Sequence, residues 1–105
     1  ASKWPILRNH NFHPVVEALR DVAYILDQLQ TVGPMRMGIF ITNEVTAEDR
    51  GVVHFYPTRE QARALVQAVN RAANTRLTWE SDLLTAPALT LPFGKYLELS
   101  MEVRP

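Results

Sequence analysis

The sequence predicts an α+β fold: a two-layer sandwich with two helices on one face of a four-stranded, mainly antiparallel sheet. Three observations carry this. Two segments repeat apolar residues at spacings of three and four, and four others are short, alternating or β-branched. No repeat, low-complexity tract or linker divides the 105 residues, so they read as one domain, 1–105, with an N-terminal arm over 1–12. Helices and strands of this size bury their apolar sides by packing as two layers.

The elements follow in the order α-β-β-α-β-β. From His13 to Gly33, residues Val15, Val16, Leu19, Val22, Ala23, Leu26 and Leu29 form one apolar helical stripe. Pro14 suits its first turn, and Gly33 with Pro34 suits its stop. In MRMGIFITNEV, Met35, Met37, Ile39 and Ile41 alternate with Arg36, Gly38, Phe40 and Thr42, which predicts a strand over 35–44. The polar TAEDRG turns the chain into GVVHFYP, a strand over 51–57 and the second arm of a hairpin. Thr58 and Gln61 have capping-box spacing, so a second helix begins there, with Ala62, Leu65, Val66, Val69 and Ala73 on its buried side. RLTWES predicts a short strand over 76–81. KYLELSMEVR predicts the last, over 95–104, with Leu97, Leu99, Met101 and Val103 opposite Tyr96, Glu98, Ser100 and Glu102.

This order is what results when the first strand of a ferredoxin-like βαββαβ unit is moved to its end. It resembles that architecture and names no family; one fold hosts many functions. The topology places strands 51–57 and 95–104 at the centre and 76–81 and 35–44 at the flanks.

Composition excludes several functions. Eleven basic residues balance eleven acidic ones, so no net field draws phosphate backbones or anionic lipid, and neither nucleic acid nor membrane is an expected partner. No apolar run reaches the roughly 20 residues that cross a bilayer, and ASKWPILRNH lacks a basic start followed by an apolar stretch. A soluble, cytoplasmic protein is the expectation. Without cysteine there is no disulfide, thiolate metal site or thiol catalysis.

NHNFH is the most chemical-looking stretch, since His10 and His13 are spaced as a metal-ligand pair that Glu17 could complete. Pro14 disfavours helical geometry at His13, so the pair reads as an entry loop in which Asn11 or His13 caps the helix and Phe12 packs beneath it. No metal or cofactor is expected. HExxH, GxSxG, GxxxxGK[ST] and GxGxxG are absent, and Ser2, Ser81 and Ser100 lie in no nucleophile elbow.

Strand parity points to a more informative surface. If Leu97, Leu99 and Met101 face the helices, Tyr96 and Glu98 face away. On strand 51–57, burying Val53 with Phe55 costs less than burying His54 with Tyr56, because an unpaired imidazole is expensive to bury. His54 and Tyr56 therefore join Tyr96 and Glu98 on the uncovered face, with Phe40, Arg36, Arg76 and Thr78 toward its edges. The apolar stretch Ser81–Gly94 carries Leu83, Leu84, Leu89, Leu91 and Phe93; it either closes the core or meets another chain. Part of it, ALTL, can form a short strand that Pro87 and Pro92 confine to an edge. Trp4 and Ile6 in the arm raise the same alternative.

The expected function is a small adaptor or regulatory domain that binds protein, itself included as a homodimer. Its expected contact residues are Phe40, His54, Tyr56, Tyr96, Glu98, Leu89 and Phe93. The alternative is a cofactor-independent enzyme or small-ligand binder using His54 as general base.

Overall fold

The computed structural model describes residues 11–84 and 88–104. In chain order they form helix α1 (His13–Gln28), strands β1 (Arg36–Phe40) and β2 (Gly51–Tyr56), helix α2 (Arg59–Ala73), and strands β3 (Leu89–Phe93) and β4 (Leu97–Met101). Short helical turns lie at Gln30–Val32 and Trp79–Leu83. The sheet runs β1-β2-β4-β3, with antiparallel outer pairs and a parallel central pair. A parallel neighbour needs a long crossover, and α2 supplies it. The predicted α+β fold is the fold observed, consistent with a ferredoxin-like sandwich.

Alternation sets the core. Val53 and Phe55 of β2 and Leu97, Leu99 and Met101 of β4 are buried beneath the helices, as their spacing predicts. Ala62, Leu65, Val66, Ala68 and Val69 of α2 meet them from above. The capping box is formed: Thr58 Oγ1 accepts the Gln61 amide at 3.3 Å, and Gln61 Oε1 accepts the Thr58 amide at 3.1 Å.

Helix α1 buries part of the predicted stripe: Val22 and Leu29 are in the core, and Leu26 and Val15 pack against it. Ala18, Val22, Ile25 and Leu29 face the core, whereas Val16, Leu19 and Ala23 are exposed. Apolar residues occupy more than half the circumference of this helix, so spacing alone permits more than one buried side. Small Ala18 decides, because it lets the helix approach Val45 and Tyr96. At the entry, Asn11 Oδ1 accepts the His13 amide at 3.0 Å, satisfying a free helix-start donor, but Phe12 is exposed instead of packing beneath.

The strand predicted over 76–81 is not a strand of the sheet; β3 takes that place. The segment after α2 finds its backbone partners locally. Asn70 Nδ2 donates to the Leu77 carbonyl at 2.8 Å, and Asn70 Oδ1 accepts the Leu77 amide at 2.9 Å. Asp82 then accepts the Thr78 amide at 2.7 Å, closing the π-helical turn that buries Leu83. The sheet edge is left to Leu89–Phe93, where Pro92 is tolerated because, among the described residues, no strand lies outside it. β1 is shorter than expected for a related reason. After Phe40 the chain bends, with the Val45 amide donating to the Thr42 carbonyl at 3.2 Å, and Val45 drops into the core.

Candidate contact face

Side chains pointing away from the helices form two rows across the sheet. Gly38, His54, Ser100 and Thr90 lie in one, and Phe40, Val52, Glu98 and Pro92 in the next. Arg36 pairs with Tyr56 one step further along. Both helices pack on the opposite side, so among the described residues no helix covers these rows. Four of the expected contact residues, Phe40, His54, Tyr56 and Glu98, therefore share this face.

The other three do not. Tyr96 is only 9% exposed and packs with Ala18 and Val45, on the helical side. It stands in the turn before β4, where strand alternation has not begun. Gly94, at φ +70°, makes that turn, and the Asp21 carboxylate lies where a β-carbon at 94 would go. Arg50 holds the turn by donating to the Gly94 and Leu97 carbonyls at 2.9 and 3.0 Å. The Tyr96 ring is further flanked by His13, edge-on at 6.4 Å, and by the Lys95 ammonium at 5.4 Å. Phe93 stacks on Tyr24 of α1 at 6.1 Å, and Leu89 packs against the core from the same side of β3. The described part of the apolar stretch thus closes the core, since Leu83, Leu91 and Phe93 are all buried there. Arg76 and Thr78, expected near an edge of the face, lie in the segment held by Asn70 and Asp82.

What remains is an aromatic cluster on an open sheet. His54 Nδ1 and the Tyr56 hydroxyl are hydrogen-bonded at 3.0 Å. The Phe40 ring lies back over Gly38, 2.9 Å from where a β-carbon would stand, and meets His54 edge-on at 6.3 Å. Glycine at 38 leaves room for that ring. Phe40 is 62% exposed. Arg36, Tyr56 and Arg104 line a shallow hollow of about 260 Å³ at one end of the face. Another hollow, of about 330 Å³, lies between α2 and the Leu77–Glu80 segment, away from His54.

Ser100 lies within the first row, only 1% exposed, and its hydroxyl has no hydrogen-bond partner among the described residues. Such a group is too enclosed to attack a substrate, and burying it unpaired is costly. Ser100→Ala should therefore raise folding stability by about 1 kcal/mol, measured by denaturant unfolding.

The histidine pair of NHNFH is only half within view, as His10 lies outside the described residues. His13 Nε2 stands 3.9 Å from Glu17 Oε1, and both are partly exposed. Among the described residues no three side chains are grouped to hold a metal ion. Glu17 and Asp21 each bury one carboxylate oxygen without a partner among those residues. Burial and then the Glu17 charge hold the Asp21 pKa above its ordinary value of 3.8. The native state thus keeps this proton more tightly than the unfolded chain, and stability falls as pH rises from 3.8 through the raised value. Asp21→Asn should stabilise at pH 7 by about 0.5 kcal/mol from the relieved i,i+4 repulsion alone. That gain should vanish below pH 3.8 in melting curves taken across pH.

Compared with family models, curated proteins and solved structures, the chain matches none of them. Among the described residues no helix is long and apolar enough to cross a membrane.

Proposed function

We propose that this chain is a small protein-binding domain of adaptor or regulatory kind, working in the cytoplasm and engaging protein, itself included, through the open face of its sheet. One observation carries the reading. Phe40, at 62% exposure, stands beside half-buried His54 and Tyr56 on a face that no described helix covers, with Arg36 on its edge strand and Glu98 on a central one. Exposed aromatics surrounded by mixed charge are the usual composition of an interface centre and rim. Glu98 on a central strand opposes a phosphate backbone, which favours protein over nucleic acid. A sheet face that no described helix covers, with only a shallow hollow at one end, also suits a broad partner better than a small substrate, which is commonly held in a concave cleft.

The double variant Phe40→Ala, Tyr56→Ala tests this. It removes one exposed and one half-buried aromatic ring and a part-buried hydrogen bond, so folding should change by about 1–2 kcal/mol. A partner captured from source-cell extract by the wild-type chain should be lost by the variant. Equal capture by both at matched stability would refute the reading.

A further inference from the structure

We infer that self-association occurs by antiparallel pairing of β1 with β1 of a second copy, centred on Gly38, so that two four-stranded sheets become one of eight strands. The inference rests on the self-association part of the function proposed above and moves that contact from the broad face to the edge strand bordering it, with Phe40 common to both. It starts from an asymmetry between the two edges of the sheet. Strand β3 carries Pro92, which offers no amide to a further strand. Strand β1, Arg36–Phe40, has no proline or inward-pointing charge, and its one charged residue, Arg36, stands at its end, so the rest of the edge lacks the usual devices that keep an edge from pairing.

Among the described residues, β1 has no backbone partner except β2. Adjacent large apolar residues stay exposed on its two faces: Ile39 on the helical side at 45% and Phe40 on the open side at 62%. A partner lying on the open face covers only Phe40. A strand laid along the edge brings neighbours to both.

The five residues of β1 are complementary to themselves in this arrangement. With the strands fully overlapped, Gly38 faces the partner's Gly38, Met37 faces the partner's Ile39, and Arg36 faces the partner's Phe40. Apolar side chains then meet on the helical side, and a cation meets an aromatic ring on the open side. Sliding the register by two residues either way leaves Phe40 or Arg36 without an opposite number. The glycine at the centre matters most. Because the Phe40 ring already lies over Gly38, pairing two glycines sets the rings of both copies side by side over bare backbone, a geometry that favours aromatic contact. One strand supplies both halves of every pair, and this identifies the occupant as a second copy.

Sedimentation equilibrium with single-site variants tests the geometry. The wild-type chain should show a concentration-dependent monomer–dimer equilibrium. Ile39→Lys should weaken it by about tenfold, since each dimer loses two cross-strand apolar pairs. Gln67→Ala, exposed on α2 and away from β1, should leave it intact. The chain has no cysteine, so cross-links can be placed freely. Directly opposed residues of antiparallel strands have Cα atoms about 4.5–5.5 Å apart, within disulfide reach. On mild oxidation Gly38→Cys should give a covalent dimer, and Thr90→Cys on the other edge should not. The pair Met37→Cys, Ile39→Cys tests the same register without displacing the Phe40 ring.

A wild-type chain that is monomeric throughout would overturn both this geometry and the self-association it rests on. A dimer that tolerates Ile39→Lys, or that cross-links through position 90 and not through 38 or the 37/39 pair, would overturn the geometry alone.

Discussion

Phe55→Ala should cost about 3–5 kcal/mol of folding stability, enough to bring a domain of ordinary stability close to unfolding at room temperature. Phe55 is 1% exposed, points from β2 into the helical layer and belongs to the main core cluster. It lies between strand partners on both sides, opposite Met37 of β1 and beside Met101 of β4, so the sheet cannot readily collapse into the space left behind. The substitution therefore pays both for lost apolar burial and for a cavity. Its neighbour Tyr56 points the other way, and Tyr56→Ala should change stability by about 1 kcal/mol or less. Urea unfolding of the two variants side by side measures the parity of β2 directly. Similar losses from both would mean that the face bearing His54 and Tyr56 is not open.

Tyr96→Ala should cost about 3 kcal/mol, though its sequence position suggests a surface residue. The ring fills the space between α1 and the bend after β1, where Ala18 and Val45 enclose it. Neither neighbour can follow it inward: Ala18 is fixed by its helix, and Val45 by the Thr42 turn. The lost ring should thus appear as lost stability, with protein binding per folded molecule unchanged. Denaturant unfolding combined with capture at a temperature where the variant is folded separates the two effects. A stable Tyr96→Ala variant that no longer binds would return this residue to the contact surface.

These two tyrosines mark the division between what the sequence discloses and what it does not. Tyr56 is legible because it lies inside a regular strand whose alternation is anchored by Val53 and Phe55. Tyr96 is not, because a period of two holds only where the backbone is extended, and Gly94 turns the chain just before it. The element order and both central strands follow from hydrophobic period, and the start of α2 follows from Thr58 and Gln61. The third strand was ambiguous for a physical reason. RLTWES has better strand residues than LTLPF, yet it is held by the side chain of Asn70, a helical residue whose reach does not register as a local pattern. Pro92 weakens the strand signal of Leu89–Phe93 without preventing it from forming an edge. In α1, apolar residues on more than one side let the predicted stripe take in Val16, Leu19 and Ala23, which are exposed, and pass over Ala18 and Ile25, which are buried.

The candidate face shows the same division. Phe40, His54, Tyr56 and Glu98 come from three strands, and the arrangement that gathers them depends only on parity and strand order, both readable from the chain. Leu89 and Phe93 depend on where the apolar stretch folds, which local pattern does not decide. Their place against α1 and the core accounts for the apolar character of that segment.

The central claim is that the open sheet face, and not the helical layer, meets the protein partner. The most direct measurement places a photoreactive amino acid either at position 54, in the middle of that face, or at position 67, exposed on α2. Irradiation in source-cell extract should give a defined cross-linked product through 54 and none through 67. A product that forms through 67 alone would contradict the account.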